Sequence, residues 1–133
     1  MLWLHNGKEL NEVPEGYVGM VYLITNLVTG KKYVGKKIFH FRRTKTLKGK
    51  KKKVVVESDW QNYYGSSIDL QEHVELYGQE KFKREVLHLC KNKSQMSYLE
   101  LREQIDRRVL ETEDYYNQWI SAKVRKTKHL TNL

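Results

Sequence analysis

Two tyrosines, Tyr22 and Tyr33, lie in the stretch VYLITNLVTGKKYVGKK, residues 21–37, and four lysines surround the second of them. A phenol has a pKa of about 10, so it can accept a proton near neutral pH only where nearby cations lower that value. Without such cations, a pair of tyrosines on a hairpin is ordinary β-sheet packing. The stretch is therefore either a simple hairpin or part of a catalytic site.

Three strands are predicted to carry these residues. Residues 17–25 are rich in β-branched and aromatic side chains, residues 26–30 are typical of a turn, and residues 31–36 resume the strand, which together predict a β-hairpin. Residues 81–90 are interpreted as a third strand. Regular structure is expected to begin only after Pro14, the one proline of the chain.

Two helices are predicted from capping patterns and apolar periodicity. Ser66 opens an S-x-x-D capping pattern, and apolar residues then recur at helical spacing until Gly78. Ser94 is predicted to cap a second helix that runs from Gln95 to about Leu110. The first helix thus precedes the third strand and the second helix follows it.

The segment between the hairpin and the first helix is ambiguous. Apolar and polar residues alternate from Phe39 to Arg43, which favours extended structure, and a second, lysine-rich hairpin around Gly49 would follow from it. A helix beginning after Lys36 is the competing interpretation. The run Lys50, Lys51, Lys52 and Lys53 would repel itself, so a mobile finger that orders on a polyanion is expected.

Charge and length limit the function further. The 133 residues suit one domain, 1–133, with a core at about 16–117 and a basic tail at 118–133. The net charge is +9, and residues 16–56 hold twelve Lys or Arg and no acidic residue. Such a segment favours nucleic acid as partner and disfavours a membrane, because neither an amphipathic basic helix nor a long apolar run is evident. The single cysteine, Cys90, suggests a cytoplasmic protein.

The hairpin motif and its downstream context resemble the GIY-YIG nuclease superfamily. The triplet MVY, ten further residues and the triplet YVG match the two motif strands of that family. Arg43 lies ten positions after Tyr33, with Arg42 beside it, and Lys36 directly follows YVG. Glu103 and Asn117 match the later glutamate and asparagine. The resemblance covers residues 16–117 and is greatest to phage and intron-borne homing endonucleases of the family.

The resemblance implies an α+β fold with a small, mainly antiparallel three-stranded central sheet flanked by helices, and a basic insertion after the second strand. Tyr22 would accept a proton from the attacking water if cations lower its pKa, and Tyr33 would hydrogen-bond the phosphate or the water. Arg43 would bind phosphate oxygens through paired hydrogen bonds. Glu103 would hold Mg²⁺, or Mn²⁺ in its place, and Asn117 would anchor the sheet edge or support the metal.

Two of these assignments carry alternatives. Either Arg42 or Arg43 could be the catalytic arginine, because the family's arginine lies on a helix whereas this segment alternates like a strand. Glu103 is preferred over Glu100 because Leu99 and Leu110 place Glu103 at the border of a buried face.

The expected function is a metal-dependent DNA endonuclease, a free-standing homing enzyme of phage type acting in the host cytoplasm. The residues expected to bind DNA are Lys36, His40, Arg42, Lys50, Lys51, Lys52 and Lys53. A homodimer is an option for double-strand cleavage. The alternatives are a restriction, repair or recombination nuclease of the same family, or a non-catalytic nucleic-acid-binding module.

Overall fold

The computed structural model describes residues 2–131 and 133. Its strands are β1 (Trp3–His5), β2 (Lys8–Glu9), β3 (Gly19–Asn26), β4 (Lys32–Ile38), β5 (His40–Leu47), β6 (Lys50–Glu57) and β7 (Phe82–Cys90). Its α-helices are α1 (Ile68–Tyr77), α2 (Lys93–Asp106) and α3 (Lys128–Thr131), and two 3₁₀ turns occupy Trp60–Asn62 and Gln79–Lys81. The fold is α+β.

The main sheet has five strands in the order β2-β1-β7-β3-β4. β3 runs antiparallel to both β4 and β7, so the three predicted strands form one end of the sheet. β1 adds to β7 in parallel, which makes the sheet mixed rather than three-stranded and antiparallel. The expectation that regular structure begins after Pro14 was wrong, because a three-residue strand is too short to show a periodicity.

β1 is only three residues long, and the contacts of its tryptophan stabilise its position in the sheet. Trp3 is buried, its ring meets the edge of Tyr22 at a centroid distance of 5.2 Å, and its indole N–H donates to the carbonyl oxygen of Trp60 at 2.7 Å. A buried indole needs both apolar contacts and a hydrogen-bond partner, and this site supplies both. The first strand is therefore part of the layer behind the motif tyrosines.

The β3–β4 hairpin is confirmed, and its glycine has a steric cause. Asn26 closes the turn by accepting hydrogen bonds from the backbone N–H groups of Val28 and Thr29. Tyr22 lies directly opposite Gly35 in the register. A Cβ at position 35 would overlap the Tyr22 hydroxyl, so only glycine lets the phenol cross β4 at this point.

β5 and β6 form a separate two-stranded antiparallel sheet, which we call the ribbon. The second hairpin around Gly49 is thus confirmed, and a helix after Lys36 was wrong. Lys48 and Gly49 both have positive φ, 51° and 76°, as the two-residue turn of a twisted hairpin requires.

The helices begin and end close to the predicted residues, with corrected caps. Ser67, not Ser66, caps α1 by accepting from the Leu70 N–H at 3.3 Å. Asn92, not Ser94, caps α2 by accepting from the Gln95 N–H at 2.8 Å, and α2 ends at Asp106 rather than near Leu110. Asparagine and serine are both strong caps, so the pattern alone could not choose between neighbouring positions.

The main sheet packs a core on each face. One face carries Tyr22 and Ile24 against Trp60, Leu70 and Phe82. The other face carries Val21, Leu23 and Val34 against Met96 and Leu99 of α2. Within residues 2–131 and 133, no helix is long and apolar enough to cross a membrane.

Candidate active site

Tyr22 is the more enclosed of the two motif tyrosines. It is 1% exposed, and its ring lies within 6.2 Å of the Tyr33 ring and 6.1 Å of the Tyr63 ring, measured between centroids. Burial raises the pKa of the Tyr22 phenol well above its usual value, and the neighbouring Tyr63, Tyr33 and Glu100 raise that pKa further. Tyr22 therefore stays protonated at neutral pH, and the cations that the sequence interpretation required do not lower its pKa in this arrangement.

Tyr33 occupies the boundary between this core and solvent. Its hydroxyl is 3.0 Å from Ser66 Oγ, and burial raises the pKa of Tyr33 although the hydrogen bond with Ser66 lowers it. Tyr33 also lines a cleft of about 460 Å³ at the outer edge of β4. As a protonated phenol facing the cleft, Tyr33 can donate a hydrogen bond to a bound oxygen.

Glu100, rather than Glu103, faces the same cleft. Glu100 and Gln104, one helical turn apart on α2, both line it with Tyr33. Burial raises the pKa of the Glu100 carboxyl, and Lys36 offsets only part of this effect with its ammonium 3.9 Å away. A partly buried carboxylate beside a cleft and a lysine is a candidate functional group.

Glu103 has other partners, so the structure does not bring it to the tyrosines. Its two carboxylate oxygens lie 3.4 Å from Nε2 of His88 on β7 and 3.2 Å from Nε of Arg107. β3 separates β7 from β4, so Glu103, which reaches His88, is directed toward β7 and away from the cleft. Of the two apolar neighbours used to prefer Glu103, Leu99 packs against Val34 of β4, whereas Leu110 is 50% exposed and lies beyond the end of α2.

Lys36 and Lys37 lie on opposite faces of β4. Lys36 donates to Ser97 Oγ at 2.8 Å and so holds its charge next to Glu100. Lys37 shares the face of Tyr33, where its ammonium lies 2.7 Å from Asp59 Oδ1 and 4.0 Å from the centroid of the Tyr63 ring. The hydrogen bond from Lys37 is the main cause of the lowered pKa of Asp59.

Lys37 was missed by the sequence interpretation. The signal was present, because residues 33, 35 and 37 of one strand must share a face. Trp119 was missed as well: it is 74% exposed and lines the cleft with Tyr33 and Glu100. No sequence pattern links residue 119 to β4, since the two meet only through the path of the chain after α2.

The remaining predicted residues lie on the ribbon. Arg42 and Arg43 are both on β5 and neither lines the cleft. Arg43 lies 5.4 Å from the Phe41 ring centroid and contributes to the lowered pKa of Asp59, so it is the arginine nearer to Lys37. His40 is exposed at the base of β5, and the four lysines at 50–53 are exposed on β6.

Asn117 lies at the edge of β4, as predicted. Its amide donates to the Val34 carbonyl at 2.8 Å and accepts from the Val34 N–H at 3.1 Å, which reproduces the pairing of a neighbouring strand. Gln104 donates to the same carbonyl at 3.3 Å. Because Val34 lies between Tyr33 and Gly35, these amides fix the backbone of the motif strand.

Replacing Asn117 by alanine is expected to lower the free energy of unfolding by about 1–3 kcal/mol, because the Val34 N–H loses its hydrogen bond to Asn117 and the Val34 C=O keeps only the one from Gln104. Urea denaturation followed by circular dichroism measures the effect. Gln118→Ala is the matched control, since Gln118 only reaches the Tyr116 carbonyl at 3.5 Å and its loss should cost less than about 0.5 kcal/mol. Equal losses in the two variants would contradict a special role for Asn117.

A divalent cation fits this site through one carboxylate only. In the part of the chain that the structure describes, no group of three or more His, Cys, Asp or Glu residues could hold a metal ion. Mg²⁺ is nevertheless commonly bound by one or two carboxylates together with waters and substrate phosphates. Glu100 meets that requirement because its carboxyl faces an open cleft, whereas Glu103 is occupied by Arg107 and His88.

Comparison with known proteins agrees with the motif and its placement. Residues 3–120 match the family described as "Putative endonuclease segE, GIY-YIG domain". Searches of curated proteins and of solved structures gave no match. The family match extends beyond the motif strands to β1, whose Trp3 packs on Tyr22, and to Asn117 at the edge of β4. The chain belongs to the GIY-YIG nuclease superfamily.

Proposed function

We propose that the protein is a metal-dependent DNA endonuclease that hydrolyses phosphodiester bonds in the cleft at the edge of β4. One observation carries the proposal: the hydroxyl-bearing side chain of Tyr33 and the carboxylate of Glu100 line the same cleft, although they come from elements far apart in sequence. A donor and a metal-binding carboxylate on one cleft are the groups that phosphodiester hydrolysis needs.

The residues have separable roles in this proposal. Tyr33 donates a hydrogen bond from its hydroxyl group to a phosphate oxygen or to the attacking water and keeps its proton. Lys36, held by Ser97 beside Glu100, places a positive charge where negative charge develops in the transition state. Glu100 would hold Mg²⁺ or Mn²⁺, and the bound ion stabilises charge on the leaving oxygen.

Tyr22 and Asn117 act through their neighbours. Tyr22 stays protonated and packs behind Tyr33 and Tyr63, so we assign it to orienting Tyr33 rather than to accepting the water's proton. Asn117 fixes the backbone of β4 beside the cleft through its two hydrogen bonds to Val34. Arg43, on the ribbon, contributes a phosphate contact outside the cleft.

The biological role follows the resemblance of the motifs. We propose a free-standing homing endonuclease of phage type, an interpretation that rests on the resemblance of the motifs; the family match supports the endonuclease part of it. A single cleft hydrolyses one strand at a time. Double-strand cleavage then requires either a homodimer or two successive nicks, which the order of plasmid products distinguishes.

The test is cutting of supercoiled plasmid with Mg²⁺ and with EDTA. We expect metal-dependent conversion to nicked circles, and Tyr33→Phe is expected to slow it roughly tenfold to a hundredfold, as loss of one hydrogen bond to a charged group does. Tyr98→Phe is the matched control, because Tyr98 is on α2 but outside the cleft. DNA binding without cutting, across Mg²⁺ and Mn²⁺ and several substrates, would instead indicate a non-catalytic binding module.

A further inference from the structure

The ribbon protrudes from the domain as a basic element. Every side chain in residues 42–53 is exposed, and those residues include Arg42, Arg43 and six lysines. An isolated two-stranded hairpin is marginal in water, so an element with this little packing is completed by a partner. Its charge identifies that partner as a polyanion.

At the tip of the ribbon, a lysine occupies a turn position for which its conformational preference is poor. The two turn residues, Lys48 and Gly49, both have positive φ, a conformation in which asparagine or glycine is preferred to lysine. Lys48 therefore places a cation at the far end of the ribbon, and its positive φ carries a conformational cost.

The register of the ribbon divides its side chains between two faces. The face that we call the Phe41 face carries Phe41, Arg43, Lys45, Leu47, Lys50, Lys52, Val54 and Val56. The face that we call the His40 face carries His40, Arg42, Thr44, Thr46, Lys51, Lys53, Val55 and Glu57. Each face thus holds two of the four consecutive lysines of β6, which allows a comparison at equal charge.

The Phe41 face is continuous with the candidate active site. Lys37 Nζ lies 5.1 Å from the Phe41 ring centroid, and Arg43 lies 5.4 Å from the same centroid on the next position of that face. Lys37 in turn shares a face of β4 with Tyr33. The Phe41 face therefore adjoins the Tyr33 face of β4 through Lys37, and its own basic residues extend from Arg43 to Lys50 and Lys52.

The dimensions of the ribbon match one groove of duplex DNA. Its strands of eight residues span about 27 Å, and a pair of strands lies about 5 Å apart. The major groove, about 12 Å wide, admits a two-stranded ribbon, whereas the minor groove, about 6 Å wide, must be deformed to take one. Arginine and lysine are also the side chains that most often bind guanine from the major groove.

We propose that the ribbon enters the major groove of duplex DNA with its Phe41 face toward the bases, next to the phosphate held in the cleft. The inference rests on the proposed function and adds to it the part of the substrate that is read and the face that reads it. The His40 face then points away from the bases.

Two pairs of substitutions at equal charge test the face. Lys50→Ser with Lys52→Ser is expected to weaken binding to a 25-base-pair duplex at least about tenfold in EDTA and to lower its salt dependence, since groove contacts to phosphates are lost. Lys51→Ser with Lys53→Ser should change both quantities much less. Equal losses in the two variants, or no loss in either, would overturn the assignment of the Phe41 face.

Groove-specific competitors test the groove with the unmodified protein. Methyl green, which occupies the major groove, is expected to displace the protein, and netropsin, which occupies the minor groove, is not. The reverse order would overturn the proposal, and so would equal affinity for duplex RNA of the same sequence, whose major groove is too narrow for side chains to read.

Plasmid cutting by the same preparations separates this inference from the proposed function. Cutting by the unmodified protein together with displacement by netropsin alone would overturn the ribbon inference and leave the endonuclease intact. Absence of both binding and cutting would overturn both. Thermal melting by circular dichroism should be unchanged in the two double variants, because all four lysines are exposed.

Discussion

Glu100→Gln is expected to reduce metal-dependent DNA cutting by about two to three orders of magnitude, as loss of one charge-stabilising group in an active site does. The amide keeps the size of the side chain but cannot supply the anionic oxygen that a divalent cation requires. DNA affinity in EDTA should be nearly unchanged, because no lysine or arginine among the described residues lines the cleft, whereas the ribbon carries two exposed arginines and six exposed lysines. Plasmid nicking at matched occupancy of the DNA measures the effect.

Glu103→Gln is the matched control, three residues away on the same helix. Glu103 pairs with Arg107 and His88 and does not line the cleft, so its variant should retain cutting within a few-fold. If Glu103→Gln abolished cutting and Glu100→Gln did not, the assignment of Glu100 as the residue that binds the metal ion would be wrong.

The pH dependence of stability gives a second readout of Glu100. Its pKa is raised by burial, so the folded protein holds the proton more tightly than the unfolded chain does. The ionised carboxylate therefore costs stability above the folded pKa, and this cost disappears below the ordinary pKa of glutamate. Glu100→Gln is expected to melt at a higher temperature than the unmodified protein at pH 7 and to lose that advantage at pH 4.

Trp60→Ala is expected to lower the free energy of unfolding by about 3–5 kcal/mol, the range for truncating a large buried aromatic residue. Trp60 is 0% exposed, and its ring meets the edge of Phe39 at a centroid distance of 5.2 Å. Its carbonyl accepts the indole N–H of Trp3, so the cavity would also loosen the first strand. Urea denaturation followed by far-ultraviolet circular dichroism avoids a signal that depends on tryptophan.

Trp119→Ala is the same substitution at an exposed position and serves as its control. Trp119 is 74% exposed, so its removal should change the free energy of unfolding by less than about 0.5 kcal/mol. A loss below about 1 kcal/mol for Trp60→Ala, or a comparable loss for Trp119→Ala, would contradict the packing described for the layer behind Tyr22.

The positions of Glu100 and Trp60 in the site explain why one substitution should reduce activity and the other should reduce stability. Trp3 and Trp60 form a buried layer behind Tyr22, and stability depends on that layer. Glu100 and Lys36 lie at the solvent-facing edge, where a partly buried charge lowers stability and supports function. Substitutions behind the tyrosines should therefore unfold the protein, while those in the cleft should remove activity and leave the fold.

The sequence by itself determined the features that depend on neighbouring residues. The β3–β4 hairpin follows from a turn flanked by β-branched strands, and Gly35 follows from the YVG motif. The ribbon could be predicted as one of two alternatives, because alternation over a few residues does not separate a strand from a helix. The motif, the following lysine and Asn117 were enough to predict the family to which the chain belongs.

Only the tertiary structure decided which carboxylate meets the tyrosines. The apolar neighbours of Glu103 favoured that residue in the sequence, but the choice depends on how α2 is rotated over the sheet, which brings Glu100 toward the cleft at β4 and Glu103 toward β7. The same packing joined β1 to β7 and brought Trp119 to the cleft. These contacts join residues far apart along the chain, and local periodicity carries no information about the distances between them.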